Sequence, residues 1–111
     1  MSRLRRLGVS DRFFFISFRV LPPRGILLAA QFACLAQAIH ERREEHRFLL
    51  TAWVFLPDRW HGIFYPPYPL TISRVMEAIK DGATKQINRR RRERGALFQP
   101  RFFDCALRTV R

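Results

Sequence analysis

Residues 48–65 read FLLTAWVFLPDRWHGIFY, two apolar, aromatic-rich runs around Pro57-Asp58. A Pro-Asp pair between such runs is a turn signal, so the segment predicts a β-hairpin with strands at 48–56 and 59–65. The first of these, with no charged residue, is expected to be a buried strand. Upstream, residues 13–20 (FFFISFRV) place Phe14, Ile16, Phe18 and Val20 on one face at period two, a further strand. Pro22, Pro23 and Gly25 punctuate it. Residues 26–47 then predict a long helix with Leu28, Phe32, Leu35 and Ile39 as its buried stripe and a charged, solvated end. Downstream of the hairpin and the loop PPYPL, Thr71 or Ser73 can cap a second helix. Its stripe is Ile72, Val75/Met76, Ile79, Ala83 and Ile87, and Gly95 is the expected stop. Residues 97–107 predict the last strand, with Pro100 marking an edge or bulge.

The resulting order is β-α-β-β-α-β. It predicts an α+β, ferredoxin-like sandwich: a four-stranded antiparallel sheet with two helices on one face, strands one and three central. The open sheet face is the natural place for a ligand. The same topology serves RNA-recognition modules, ribosomal proteins, metal chaperones and nucleases, so fold alone does not decide function.

Composition narrows the choice. With 111 residues and 48% hydrophobic content the chain is one domain with its own core. Of the 21 basic residues only Lys80 and Lys85 are lysine, against 9 acidic ones, for a net charge of +12. Guanidinium groups bind phosphate bidentately and stack on bases, so the bias points to a nucleic-acid partner. Residues 1–24 carry six Arg and one Asp, residues 25–79 balance to zero, and residues 80–111 hold ten basic and three acidic residues. The two basic ends make one surface only if the fold brings them together. Five Arg within positions 89–94 exceed what a helix C-terminus needs for its dipole, and such a cluster repels itself without counter-anions. Arg89, Arg90, Arg91, Arg92 and Arg94 are therefore the leading phosphate-binding candidates. Lys80, Lys85, Arg101 and Arg108 extend the track if they share its side, and Arg3, Arg5 and Arg6 read as a basic arm. The apolar stretch at 26–39 is too short to span a bilayer, and the N-terminus has no signal-peptide pattern. A cytoplasmic location follows, with Cys34 and Cys105 as free thiols and no membrane partner.

The run Ala52-Trp53-Val54-Phe55-Leu56-Pro57-Asp58-Arg59-Trp60-His61-Gly62-Ile63 resembles the second-to-third-strand hairpin of the REP-associated tyrosine transposases, relatives of the single-tyrosine transposases of the HUH class. There an aromatic-led strand ends in a Pro-Asn/Glu turn followed by His-hydrophobic-His. Ile79-Lys80, Ile87-Asn88, Phe98-Gln99-Pro100-Arg101-Phe102-Phe103-Asp104 and Leu107-Arg108 extend the match, as does the opening strand before Arg19. The resemblance covers the chain from about residue 10. It implies enzymes that nick and rejoin single-stranded DNA. Two His one residue apart on a strand hold a divalent metal (Mg or Mn), and a tyrosine from a following helix attacks the phosphorus.

The chain departs from that pattern at both points. Arg59 stands at the first His position, which leaves His61 either as a residual metal ligand or as a polar strand residue that has lost its partner. Arg cannot shed its proton to bind a cation, so no cofactor is expected in this chain. Arg59 reads instead as a surface or ion-paired side chain, or as a phosphate contact in the metal's stead. Tyr65 and Tyr68 do not match the nucleophile, and the chain stops at Arg111, so no catalytic residue is assigned. The expectation is a basic arm at 1–11 and, at 12–111, a truncated transposase-like domain without the tyrosine helix. It would bind DNA, single-stranded or hairpin, without cutting it, and pair as a homodimer. The alternative is a non-catalytic module for single-stranded RNA or DNA, with base stacking on the open face.

Overall fold

A computed structural model describes residues 10–107 of the chain. Strand β1 (Phe14–Arg19) alternates buried and more open residues, and Phe14, Ile16 and Phe18 point into the core with Val20 just beyond. A short 3-10 turn (Pro22–Arg24) follows, then helix α1 (Ala29–His46), β2 (Leu49–Leu56), β3 (Arg59–Tyr65), α2 (Ile72–Arg91) and β4 (Phe103–Ala106). The sheet order is β2-β3-β1-β4 with every pairing antiparallel, so β1 and β3 are central as expected.

Both helices cover one face of the sheet. Ile16, Phe18, Trp60 and Phe64 from the strands pack with Leu35 and Ile39 of α1 and with Val75, Met76, Ile79, Ala83 and Ile87 of α2. Every residue of the predicted α2 stripe is buried. Thr71, not Ser73, caps that helix, its hydroxyl accepting from the Arg74 amide at 3.2 Å. Two glycines permit close packing. A Cβ on Gly62 would lie 2.6 Å from the Phe64 ring, and one on Gly82 would lie 3.1 Å from the Arg42 guanidinium across the helix pair.

Five sequence expectations need correction. Helix α1 begins at Ala29, because residues 22–24 form the 3-10 turn and Leu28 stays extended as the cap. Its buried face runs through Gln31, Cys34, Leu35, Ala38 and Ile39, with Leu28 exposed and Phe32 half-buried. Gln31 can be inside because its side-chain oxygen accepts from the Leu28 amide at 2.7 Å, which also satisfies one free amide of the helix start. Strand β2 is an edge strand, not a buried one, and most of its residues are exposed. The predicted last strand is interrupted: Phe98 bridges Val20, the chain turns at Pro100, and only Phe103–Ala106 pairs with β1. Finally, α2 ends at Arg91, with Arg92 in the left-handed conformation (φ 57°) and Gly95 beyond the helix.

Candidate nucleic-acid interface

The end of α2 meets the end of β1, and this brings part of the N-terminal positive charge to the C-terminal cluster. The Leu21 amide donates to the Leu97 carbonyl at 2.9 Å, and Arg24 reaches the helix end behind it. Arg24 donates to the Asn88 side-chain oxygen, to Glu93 Oε1 (3.0 Å from Nη2), and to the carbonyls of Gly95 (3.3 Å) and Ala96. Arg91 reciprocates, donating to the carbonyls of Arg24 (2.8 Å) and Ile26, with Glu93 at 3.7 Å. Both guanidiniums are mostly buried, so two cations are consumed in fastening the 3-10 turn to the helix end. The Glu93 carboxylate is held between them.

The cluster is thereby sorted. Arg89, Arg90, Arg92 and Arg94 are exposed and have no ion-pair partner among the described residues. Arg89 and Arg90 line a groove of about 810 Å³ between the helices with Lys85, Arg42, Gln37 and Glu41. Lys85 pairs with Asp81 at 3.2 Å, one turn away and well exposed. Such a surface pair is weak enough for a phosphate to displace. Lys80 is engaged inward. It donates to the carbonyls of Gln99 (3.2 Å) and Pro100 (3.1 Å) and lies 5.2 Å from the centre of the Phe18 ring. Partial burial lowers its pKa, Glu77 opposing the shift. Arg101 is exposed on the loop before β4. Arg108 and residues 1–9 of the basic arm lie outside the described residues.

The opposite, open face of the sheet carries the hairpin residues. Arg59 closes β3 on Asp58 with two contacts of 3.2 Å, and Arg19 approaches the same carboxylate at 3.9 Å. The Arg59 hydrogen bond holds the Asp58 carboxyl below its usual range. Two residues on, the His61 ring stacks on Phe15 at 5.5 Å and 18°. Its cross-strand neighbours are Ser17 and Val54, and its Nδ1 is shielded with no partner among the described residues. No group of three His, Cys, Asp or Glu able to hold a metal occurs among the described residues. One imidazole between a phenyl ring, a hydroxyl and a valine, with a guanidinium at the i−2 position, does not fit a divalent cation. Tyr65 packs edge-on against Phe13 at 4.9 Å, at the end of β3 remote from Arg59. Tyr68 is exposed in the loop and its amide donates to Asp11 at 2.9 Å.

Sequence reasoning missed Arg24, Asn88 and Glu93 as a fastening, and Arg42 as a groove residue. These partners are 64 to 72 positions apart for Arg24, beyond any local spacing rule.

No protein-family model matches the chain. A curated relative, the REP-associated tyrosine transposase of Escherichia coli (strain K12), is 28% identical over 112 aligned positions, covering all of this chain and 65% of the relative. Among solved structures, the REP-associated tyrosine transposase bound to a REP hairpin superposes with a TM-score of 0.78 at 26% identity, over 93% of this chain and 60% of that one. A putative transposase from Deinococcus radiodurans R1 shares the fold, with a TM-score of 0.72 at 13% identity over 86% of this chain and 78% of that one. The chain thus spans about two-thirds or less of the length of the REP-associated proteins it matches. Within that span, in sequence over its full length and in fold over nearly all of it, it resembles the REP-associated tyrosine transposases, as the hairpin and the last strand led us to expect.

Proposed function

We propose that this chain is a transposase-like domain that binds DNA, single-stranded or hairpin, and does not itself cut it. The observation that carries the reading is the set of four guanidiniums, Arg89, Arg90, Arg92 and Arg94, without an ion-pair partner among the described residues, at an end of α2 where Arg91 is internally engaged. Exposed cations with no carboxylate partner among the described residues are free to neutralise a phosphate backbone. The relative solved with a REP hairpin supports DNA as the polyanion. Absence of cleavage is supported by the donor set around His61 and by the positions of Tyr65 and Tyr68, neither of which sits on a helix. A cytoplasmic location and a homodimeric unit belong to the same reading. No helix of the described residues is long and apolar enough to cross a membrane.

The test is a binding titration with a labelled DNA hairpin across a series of salt concentrations. Counterion release makes log affinity fall linearly with log salt, by about 0.9 per phosphate contact on duplex stems. Replacing Arg89 and Arg90 with Ala should lower that slope by about 2 and weaken all sequences alike. An unchanged slope would remove the interhelix groove from the interface.

A second reading, a module for single-stranded RNA or DNA, has its own support in Phe13 just before β1 and Phe15 on it, beside Tyr65 on β3, all on the open face. Aromatic residues on two central strands offer base-stacking platforms. It predicts that unstructured RNA of equal length competes as well as hairpin DNA.

A further inference from the structure

Glu93 stands between Arg92 and Arg94, in the most basic stretch of the chain. Its carboxylate fills the gap between two guanidiniums that come from distant parts of the sequence. Arg24 Nε and Nη2 both donate to one oxygen, Oε1, at 3.2 and 3.0 Å, and Arg91 Nη1 lies 3.7 Å from the same atom. Oε2 has no hydrogen bond among the described residues. The carboxylate is also the open part of the group: the Glu93 side chain is 45% exposed, against 14% for Arg24 and 13% for Arg91.

Neutral acceptors, not Glu93, hold the two cations in place. The other N–H groups of Arg24 go to the Gly95 and Ala96 carbonyls and to the Asn88 side-chain oxygen. Asn88 is itself fixed, donating to the Gly95 carbonyl at 2.9 Å. Arg91 donates to the carbonyls of Arg24 and Ile26. The pair therefore stays assembled when the carboxylate swings away, and an ion pair so open to water is weak enough to exchange. What then faces solvent is the Nε–Nη2 edge of Arg24 with a second guanidinium beside it. That edge offers two parallel N–H bonds and fits two oxygens of one phosphate, whereas Glu93 supplies it with one. Arg92 and Arg94 are exposed and without an ion-pair partner among the described residues, so an arriving anion meets a positive potential.

We propose that the gap between Arg24 and Arg91 is a phosphate-binding site in which Glu93 is an internal substitute for the ligand, leaving when a phosphate group enters. Neither guanidinium lines the interhelix groove of Arg89 and Arg90, so this is a separate site. The ligand chemistry is a phosphate oxyanion, free or in a nucleic-acid backbone, and only the backbone source rests on the DNA reading above.

The probe is inorganic phosphate, titrated into the full chain at constant ionic strength and followed by phosphorus NMR. The native chain should bind it saturably, and Glu93→Ala about ten-fold more tightly, because a tethered competitor is gone. Glu93→Gln keeps a neutral acceptor beside Arg24; it should fall between the two, and it gives the same comparison if the alanine variant does not fold. Adding Arg24→Lys to either variant keeps the charge and removes the two-donor edge, so the gain should vanish. A hairpin titration separates the sources. Saturating inorganic phosphate lowers hairpin affinity in the native chain, and not in Arg24→Lys, if a backbone phosphate uses the site. Hairpin affinity unmoved by phosphate assigns the site to free phosphate. No saturable binding by the native chain, an equal affinity in Glu93→Ala, or a gain that Arg24→Lys leaves intact would each overturn the proposal. Hairpin binding that proves independent of Arg89 and Arg90 would leave these phosphate results unmoved, so the two readings fail separately.

Discussion

Arg24 shows how a single side chain converts an apparent charge surplus into architecture. Its fork satisfies two backbone carbonyls, an amide oxygen and a carboxylate, and a planar, five-donor group suits that set better than an ammonium does. Arg24→Ala should therefore cost about 2 kcal/mol, the range for hydrogen bonds to charged groups, and Arg24→Lys should recover only part of it in urea unfolding. Asp58 has a pH signature. Its carboxyl is held below the usual range by Arg59, so its contribution to stability is complete above the unfolded value of 3.8 and is lost as pH falls through the lower folded value. We expect the urea midpoints of the native protein and of Asp58→Asn to differ near neutral pH and to converge below pH 3.8. Only one of the two roles was legible in the sequence. Arg59 was legible as an ion-paired residue because its partner adjoins it, whereas Arg24 waited on partners brought from the far end of the chain.

The elements divide according to whether their environment is set locally. Strand β3 has the expected bounds, 59–65, because a Pro-Asp turn on one side and a proline pair on the other fix both ends. The α2 stripe was legible for a similar reason: seven buried positions follow one helical face without interruption. Strand β2 was misread, since an apolar run looks the same at the edge of a sheet as at its centre. Edge status depends on the order β2-β3-β1-β4, which is a long-range property. The α1 stripe was misplaced because a glutamine was not expected inside, and the Leu28 amide that makes it tolerable precedes the helix. Packing against β3 supplies a further prediction. Gly62 lies under the Phe64 ring, which is wholly buried, so Gly62→Ala should destabilise the fold by about 1–3 kcal/mol through overpacking. Thermal melting checks this. An unchanged melting temperature would show that the ring can move.

At the scale of the whole molecule, the fold unites charges that the sequence separates. Pairing of β1 with both β3 and β4, and the contact of the 3-10 turn with the end of α2, bring Arg19 and Arg24 into the C-terminal half. The helix layer then presents the free guanidiniums, and the open sheet face presents His61, Arg59 and the aromatic residues. The proposed phosphate contacts and the hairpin positions that resemble a cleavage site thus sit on different layers, so the two can be tested separately. The most direct measurement incubates the full chain with labelled single-stranded hairpin DNA and Mg²⁺ or Mn²⁺, scoring native and denaturing gels from the same reaction. We predict a salt-sensitive complex on the native gel and no DNA joined covalently to protein on the denaturing one. A covalent protein–DNA adduct, or no salt-sensitive complex at all, would contradict the proposal.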